Sequence, residues 1–124
     1  MIYLASVYSL NATTDSEEHV KLREERYLQV MRKTKELLEK GLTVFSPILH
    51  CHPMSVIYGL PKDFSFWERL DKSYIDNCDV VWVYKMEGWE ESKGITQEIA
   101  YAKSQGKPII YIEEDNAKSN SGIY

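Results

Sequence analysis

Four short apolar runs occur along the chain. They occupy residues 2–6, 42–47, 79–84 and 108–112, and each is rich in β-branched or aromatic side chains. Their apolar residues stand at successive positions instead of alternating with polar ones, which is typical of strands covered on both faces. The runs therefore predict four strands of a buried parallel sheet.

A long helical pattern follows the first run. It spans Asp15 to Lys40, because Asp15 and Glu18 form a capping box and Gly41 provides a stop. At helical spacing, its apolar residues form one stripe that should face the sheet, namely Val20, Tyr27, Met31, Thr34 and Leu38.

Two shorter helices are predicted further along the chain. The Ser-x-x-Glu box in "SFWE" begins a helix over residues 65–77, and another helix covers residues 94–105 before Gly106. The stretch from residue 49 to residue 62, which contains "HCHP", is interpreted as a loop after the second strand.

Strands and helices thus alternate, which predicts an α/β fold. We expect a small doubly wound parallel sheet of the Rossmann or flavodoxin type, with four to five strands and helices on both faces. Residues 1–112 would form this single domain, and residues 113–124 a polar C-terminal tail. Ligands of such sheets bind at the carboxyl ends of the strands, near the point where the winding reverses.

Composition narrows the possible partners. The chain has 124 residues and a net charge of −4, and its basic residues are mixed with acidic ones, so no basic stripe is available for a nucleic-acid polymer. No apolar run approaches the roughly 20 residues needed to cross a membrane. The first residues, "MIYLAS", lack the features of a signal peptide, and we therefore expect a cytoplasmic protein.

The stretch "GWEESKGITQE" carries the main candidate chemistry. Ser92 and Gly94 precede a helix whose unpaired N–H groups favour negative charge, so they could receive a phosphate, and Glu98 in the first turn or so would remain ionised. Taken alone, the residues favour the simpler alternative that Ser92 only caps the helix and that Glu98 is a solvated surface acid. Asp71 on the second predicted helix is either an ordinary surface acid or a partly buried carboxylate that needs a partner or a ligand.

The segment "HCHP" invites a metal interpretation, which the sequence supports weakly. His50, Cys51 and His52 are contiguous, and no second cluster of Cys and His supplies further ligands. We expect no metal, and expect His50 to lie at the rim of a pocket, where it could contact a ligand. Cys51 is a poor candidate nucleophile, because adjacent residues of an extended segment point in different directions.

Taken together, these motifs resemble the nucleoside 2-deoxyribosyltransferase-like superfamily, which includes 2'-deoxynucleoside 5'-phosphate N-hydrolases and cytidylate N-glycosidases. The resemblance runs from "YLASVYS" to "GKPIIYI" and includes the "CDVV" strand and Ser-x-Gly-x-x-x-Glu before the last helix. A still closer similarity is to a small phage and bacterial branch, marked by "LASVYS", "FSPILHCHP" and the "GW" before the serine.

The resemblance implies an N-glycosidase that acts on a nucleoside 5'-monophosphate or a nucleoside. Glu98 matches the glutamate that attacks C1', Ser92 the serine that binds the 5'-phosphate, and Asp71 the aspartate that protonates or orients the leaving base. Tyr8 falls where an aromatic hydroxyl lies near the nucleophile, and Ser6 shares its loop. Trp89 could stack on a base.

The resemblance also implies a homodimer or higher homo-oligomer, and the mechanism requires no metal or organic cofactor. Asp71 could act as the acid only if burial raises its pKa while Glu98 stays charged, so the two carboxylates should occupy opposed environments. Two other functions remain open. One is a non-catalytic nucleotide-binding or sequestering protein, and the other is a hydrolase of a larger nucleotide signal.

Overall fold

The computed structural model describes residues 1–8, 16–61 and 64–114. Its strands and helices follow the predicted alternation, with one additional helix. In chain order they are β1 (Ile2–Ala5), α1 (Glu17–Glu39), β2 (Val44–Phe45), α2 (Pro47–Tyr58), α3 (Phe64–Asp76), β3 (Val80–Lys85), α4 (Lys93–Ser104) and β4 (Ile109–Glu113). A short 3₁₀ turn, Trp89–Glu91, lies between β3 and α4.

The four strands form one parallel sheet in the order β2-β1-β3-β4. Tyr3 of β1 pairs with Phe45 on one side and with Val81 on the other. The chain winds outward from β1 to β2 and then crosses back to β3, so the winding reverses between β1 and β3. This arrangement confirms the predicted doubly wound α/β fold.

Side-chain contacts assign the helices to the two faces of the sheet. Phe45, which is level with Tyr3, stacks on Tyr74 of α3 with 4.0 Å between ring centroids. Tyr84 lies three residues beyond the partner of Tyr3 and therefore points to the opposite face, where the Lys33 ammonium of α1 lies 5.4 Å from its ring centroid. The central strands are consequently covered on both sides, and every residue of β1 is buried.

Helix α2 was not predicted, and the interpretation of residues 49–62 as a loop is wrong over most of its length. The Ser46 side chain caps this helix by accepting from the Leu49 N–H at 3.3 Å, and Pro47 occupies its first turn. Gly59 ends it in the left-handed conformation, with φ of 69°. An internal Pro53 and apolar residues around the whole helix obscured the pattern, because no single stripe is present.

The predicted buried stripe of α1 is largely wrong. Val20, Met31 and Leu38 are exposed, whereas Thr34 is buried as predicted and Tyr27 is half-buried. The helix instead turns a neighbouring face inward, whose buried residues are Arg23, Arg26, Val30, Lys33, Thr34 and Leu37. Long basic side chains cover apolar surface with their methylene groups, so their charge hid this face from a hydrophobicity pattern.

The boundaries differ in smaller ways. The cap of α1 is Ser16, which accepts from the His19 N–H, and Asp15 lies outside the described residues. β4 extends to Glu113, and Glu114 accepts from the Gln29 amide, so the first two residues of the expected tail are attached to the domain. The rest of that tail, residues 115–124, lies outside the described residues. Among the described helices, none is long and apolar enough to span a membrane.

Candidate functional site

Glu98 is the centre of the candidate site. It is the sixth residue of α4, on the side that faces the sheet, and only 5% of it is exposed. The Tyr3 hydroxyl of the central strand β1 donates a hydrogen bond to its carboxylate. The interpretation of Glu98 as a solvated surface acid is therefore wrong, and β1 and α4 together fix its side chain.

Asp71 is a second buried carboxylate, on the neighbouring helix α3. Only 6% of it is exposed, and its Oδ1 has no hydrogen-bond partner among the described residues. The interpretation as an ordinary surface acid is wrong here as well. A buried oxygen without a partner costs free energy, which marks Asp71 as a group held ready for a proton or a ligand.

The two carboxyl groups share one electrostatic environment. Burial, and then the nearby charge of Asp71, raises the pKa of Glu98 to about 8, and the hydrogen bond from Tyr3 only partly opposes this. Burial raises the pKa of Asp71 to about 7. The expectation that Glu98 stays ionised in an environment opposed to that of Asp71 is wrong, because both sites disfavour charge. Near neutral pH, burial and their mutual repulsion therefore favour a state in which at least one of the two carboxyl groups is protonated.

Two further acids near this pair stay neutral. Burial, and the negative charges of Glu98 and Asp71, hold the pKa of Tyr3 well above its ordinary value. Burial and the same two carboxylates raise the pKa of the Cys51 thiol of α2 to about 12. Tyr3 is therefore a hydrogen-bond donor, and Cys51 is a neutral thiol rather than a nucleophile. Tyr3 was missed as a site residue, although a phenol in a strand buried on both faces signals a required partner.

Ser92 caps α4, which is one of the two roles that the sequence allowed. Its hydroxyl oxygen accepts from the Ile95 N–H at 3.2 Å, so the interpretation as a helix cap is confirmed, and only 6% of the residue is exposed. The hydroxyl hydrogen is still available for donation to a ligand. Gly94 lies in the same first turn of α4 and is half-buried, so its backbone adds to the positive end of the helix.

Tyr8 contacts His52 of α2. Its hydroxyl is hydrogen-bonded to Nδ1 of His52, and Nε2 of His52 lies 2.7 Å from Oε2 of Glu24. His52 is buried and its ring stacks on Tyr27 at 4.3 Å between centroids. The aromatic hydroxyl beside Glu98 belongs to Tyr3, and Tyr8 joins the β1 loop to α1 and α2. The sequence indicated His52 only as a weak candidate metal ligand.

The remaining predicted residues are dispersed around this centre. Ser6, at the carboxyl end of β1, is buried and its hydroxyl has no partner among the described residues. His50 lies on the exposed side of α2, with its ring 6.0 Å from those of Phe45 and Tyr74, instead of in a loop. Trp89 is half-buried in the 3₁₀ turn and packs near Tyr111, so base stacking by Trp89 stays a prediction.

Metal-ligating side chains are not clustered in the described part of the chain. There, no group of three or more His, Cys, Asp or Glu residues is arranged to hold a metal ion. The contiguous "HCHP" residues diverge instead, because a helix turns successive side chains by about 100°. Cys51 faces the carboxylates, His52 faces α1, and His50 faces solvent.

A comparison with protein families gives one match that covers most of the chain. The family is described as a domain of unknown function (DUF1937), and it matches residues 1–114. No curated protein matches the chain. The match therefore includes every residue of the site described above and assigns it no chemistry.

Proposed function

The chain belongs to the DUF1937 family, and we propose that it is an N-glycosidase acting on a nucleoside 5'-monophosphate or a nucleoside. One observation carries the proposal. Two buried carboxyl groups with raised pKa values lie on α3 and α4, and one of them accepts a hydrogen bond from a buried tyrosine. Such pairs provide a nucleophile and an acid for cleaving a glycosidic bond.

The first step breaks the bond between C1' and the base nitrogen. The Glu98 carboxylate forms a bond to C1' while the departing base nitrogen takes the proton from Asp71. The product is a glycosyl ester of Glu98 and a free base. The sugar carries positive charge in the transition state, and this charge favours the ionised form of Glu98 at that moment.

The second step restores the protein. Asp71, now ionised, takes a proton from a water molecule, and the water oxygen bonds to C1' as the ester bond to Glu98 breaks. If a second base attacks in place of water, the outcome is transfer instead of hydrolysis. Asp71 thus alternates between acid and base, as in other two-carboxylate glycosidases.

The proton must lie on Asp71 when the reaction begins. The pKa of Glu98 is raised to about 8 and that of Asp71 to about 7, so the resting proton favours Glu98. Moving it to Asp71 costs on the order of 1 kcal/mol, because the two pKa values differ by about one unit. The Tyr3 hydroxyl lowers this cost by stabilising the ionised Glu98.

Two further considerations support a nucleotide substrate. Ser92 and the first turn of α4 present a hydroxyl and N–H groups that suit a phosphate, and the site lies at the sheet edge where ligands of doubly wound folds bind. The resemblance of the motifs to the deoxyribosyltransferase-like superfamily supports a substrate that contains a sugar and a base. We also propose a cytoplasmic homodimer, which the exposed apolar residues at the end of α2 support, namely Val56, Ile57 and Tyr58.

The test is a chromatographic screen of the purified protein against ribo- and deoxyribonucleoside 5'-monophosphates and the corresponding nucleosides. We expect free base from at least one substrate, and none from Glu98→Gln, which preserves the shape of the side chain. Glu25→Gln changes an exposed carboxylate of α1 and is the matched control. Release of base by Glu98→Gln at the wild-type rate would refute the mechanism. No release by the wild type, with stabilisation by one nucleotide, would indicate a binding protein.

A further inference from the structure

Strand β4 is an open edge of the sheet. It pairs with β3 on one side, and no other strand in the described part of the chain pairs with its other side. Its first four residues are apolar, and two of them, Ile110 and Tyr111, are each 45% exposed. Proteins commonly protect such edges with charged residues or proline, because a bare edge pairs with other chains. Here Pro108 and Glu113 stand only at the two ends of the apolar stretch.

The backbone of β4 determines which of its residues could pair outward. The Val81 N–H donates to the Pro108 carbonyl at 3.0 Å, and the parallel register with β3 continues from that point. In a parallel ladder, the N–H and C=O groups of alternate residues face the same neighbouring strand. The peptide groups of Ile110 and Ile112 therefore face β3. Those of the alternate residues face outward, namely Ile109, Tyr111 and Glu113.

A second copy of β4 fits this edge in one antiparallel register. When Tyr111 stands opposite its own counterpart, all three outward-facing residues meet outward-facing residues. Ile110 then stands opposite Ile112, on the sheet face that α1 covers. Centring the pair on Glu113 would instead place two carboxylates opposite each other, and centring it on Ile109 would leave the end of the strand unpaired. The register centred on Tyr111 is therefore the favoured one.

Charges at the two ends of the strand complement each other in this register. Glu113 stands opposite Ile109 of the second copy, so its diagonal neighbour, if the alternation of β4 extends that far, is Lys107. The Glu113 carboxylate is exposed and pairs with the Lys85 ammonium of β3 at 2.6 Å. The Lys107 ammonium donates to two backbone carbonyls, at 3.1 Å and 2.8 Å. Opposite charges therefore approach each other at both ends of the pair.

We propose that β4 binds a second copy of this chain, so that the two sheets join antiparallel into one continuous sheet. A two-fold axis generates this pairing, and the assembly therefore closes as a dimer. The Tyr111 ring also lies 5.8 Å from that of Trp89, in the turn before Ser92, so the second copy would cover the surface beside the candidate site. The inference rests on the proposed homodimer, for which it names the interface, and it is independent of the glycosidase chemistry.

The first test is the oligomeric state of the intact chain, measured by sedimentation equilibrium over a wide range of protein concentrations. We expect a wild-type dimer that dissociates on dilution. Ile110→Lys places a charge opposite the apolar Ile112 and should raise the dissociation constant roughly tenfold or more. Leu28→Lys, at a leucine of α1 that is 49% exposed, is the matched control and should leave the dissociation constant unchanged.

Cross-linking tests the register. Residues opposite each other in a hydrogen-bonded antiparallel pair have Cα atoms about 5.5 Å apart, which is within the range of a disulfide. Tyr111→Cys protein, oxidised with glutathione disulfide, should therefore form a disulfide-linked dimer on a non-reducing gel. Leu28→Cys and the wild type, whose Cys51 is half-buried and whose Cys78 is buried, are the controls and should give no such dimer.

The outcomes separate this interface from the other proposals. A wild-type dimer that Ile110→Lys does not weaken and Tyr111→Cys does not cross-link would refute the β4 interface and retain the homodimer, with the exposed end of α2 as its alternative surface. A wild type that is monomeric at every concentration would refute both, as expected if another segment or protein covers β4. If Ile110→Lys does not fold, the Tyr111→Cys cross-link decides. Base release is judged separately, because no residue of β4 takes part in the proposed chemistry.

Discussion

Replacing Glu98 by glutamine should make the protein more stable at alkaline pH while abolishing its proposed activity. Glutamine has the same shape as glutamate, can accept the Tyr3 hydrogen bond and cannot ionise. In the wild type, burial and Asp71 raise the pKa of Glu98 from 4.5 to about 8. A carboxyl group whose folded pKa lies above its unfolded value stabilises the protein fully below the unfolded pKa, and this stabilisation is lost as pH rises through the folded pKa.

The magnitude follows from the proton balance. Between about pH 5 and about pH 8 the folded protein keeps the Glu98 proton while the unfolded chain has released it, and each pH unit is worth about 1.4 kcal/mol. Allowing for the ends of the titration, Glu98 alone lowers the free energy of unfolding by about 3 kcal/mol over this range, an upper bound because water entry relaxes the buried charge. Asp71, with its pKa raised to about 7, acts in the same direction.

Urea unfolding at a series of pH values between these limits measures the effect. The wild type should lose stability as pH rises, and Glu98→Gln should lose at most half as much, because it lacks one ionisation and also relieves Asp71 of a negative neighbour. At the upper pH the variant should exceed the wild type by about 2 kcal/mol. The exposed Glu25→Gln control should follow the wild type. Parallel pH dependences of Glu98→Gln and the wild type would refute the raised pKa of the buried Glu98.

Base release should follow a bell-shaped pH profile with its maximum between about 7 and about 8, the values to which the pKa of Asp71 and that of Glu98 are raised. Asp71→Asn should slow release and abolish the falling limb, because that limb reports loss of the Asp71 proton; an unchanged falling limb would contradict the role of Asp71 as the acid. Tyr3→Phe should slow release roughly ten- to a hundredfold by removing a donor to the ionised Glu98, whereas Tyr8→Phe should leave the pH profile unchanged and lower the free energy of unfolding by about 1 kcal/mol. Reversal of these two effects in kinetics and urea unfolding would assign the expected hydroxyl to Tyr8. Cys51→Ala should keep base release within about twofold of the wild type, because a thiol of such high pKa is no nucleophile, and a complete loss with the fold intact would show otherwise.

Tyr8 and Tyr3 show the limit of assigning a role to a residue from its place in a sequence motif. Both tyrosines lie in or just after the first predicted strand, and the motif alone favoured the one in the loop. The choice depends on which face of the sheet each side chain reaches and on which helix covers that face. Tyr3 and Glu98 are hydrogen-bonded although they are 95 positions apart in the chain, and no local sequence pattern contains that pairing.

The sequence by itself determined where the four strands occur along the chain. The continuous apolar runs, the glycine stops and the Ser92 cap each depend on neighbours within a few residues. Local chemistry also identified Glu98, Asp71 and Ser92 as candidates. Only the tertiary structure decided that both carboxylates are buried together, because desolvation depends on elements that pack from distant parts of the chain. It likewise decided that Arg26 faces inward, because a helix pattern alone does not show whether a long basic side chain extends into solvent or covers the protein surface.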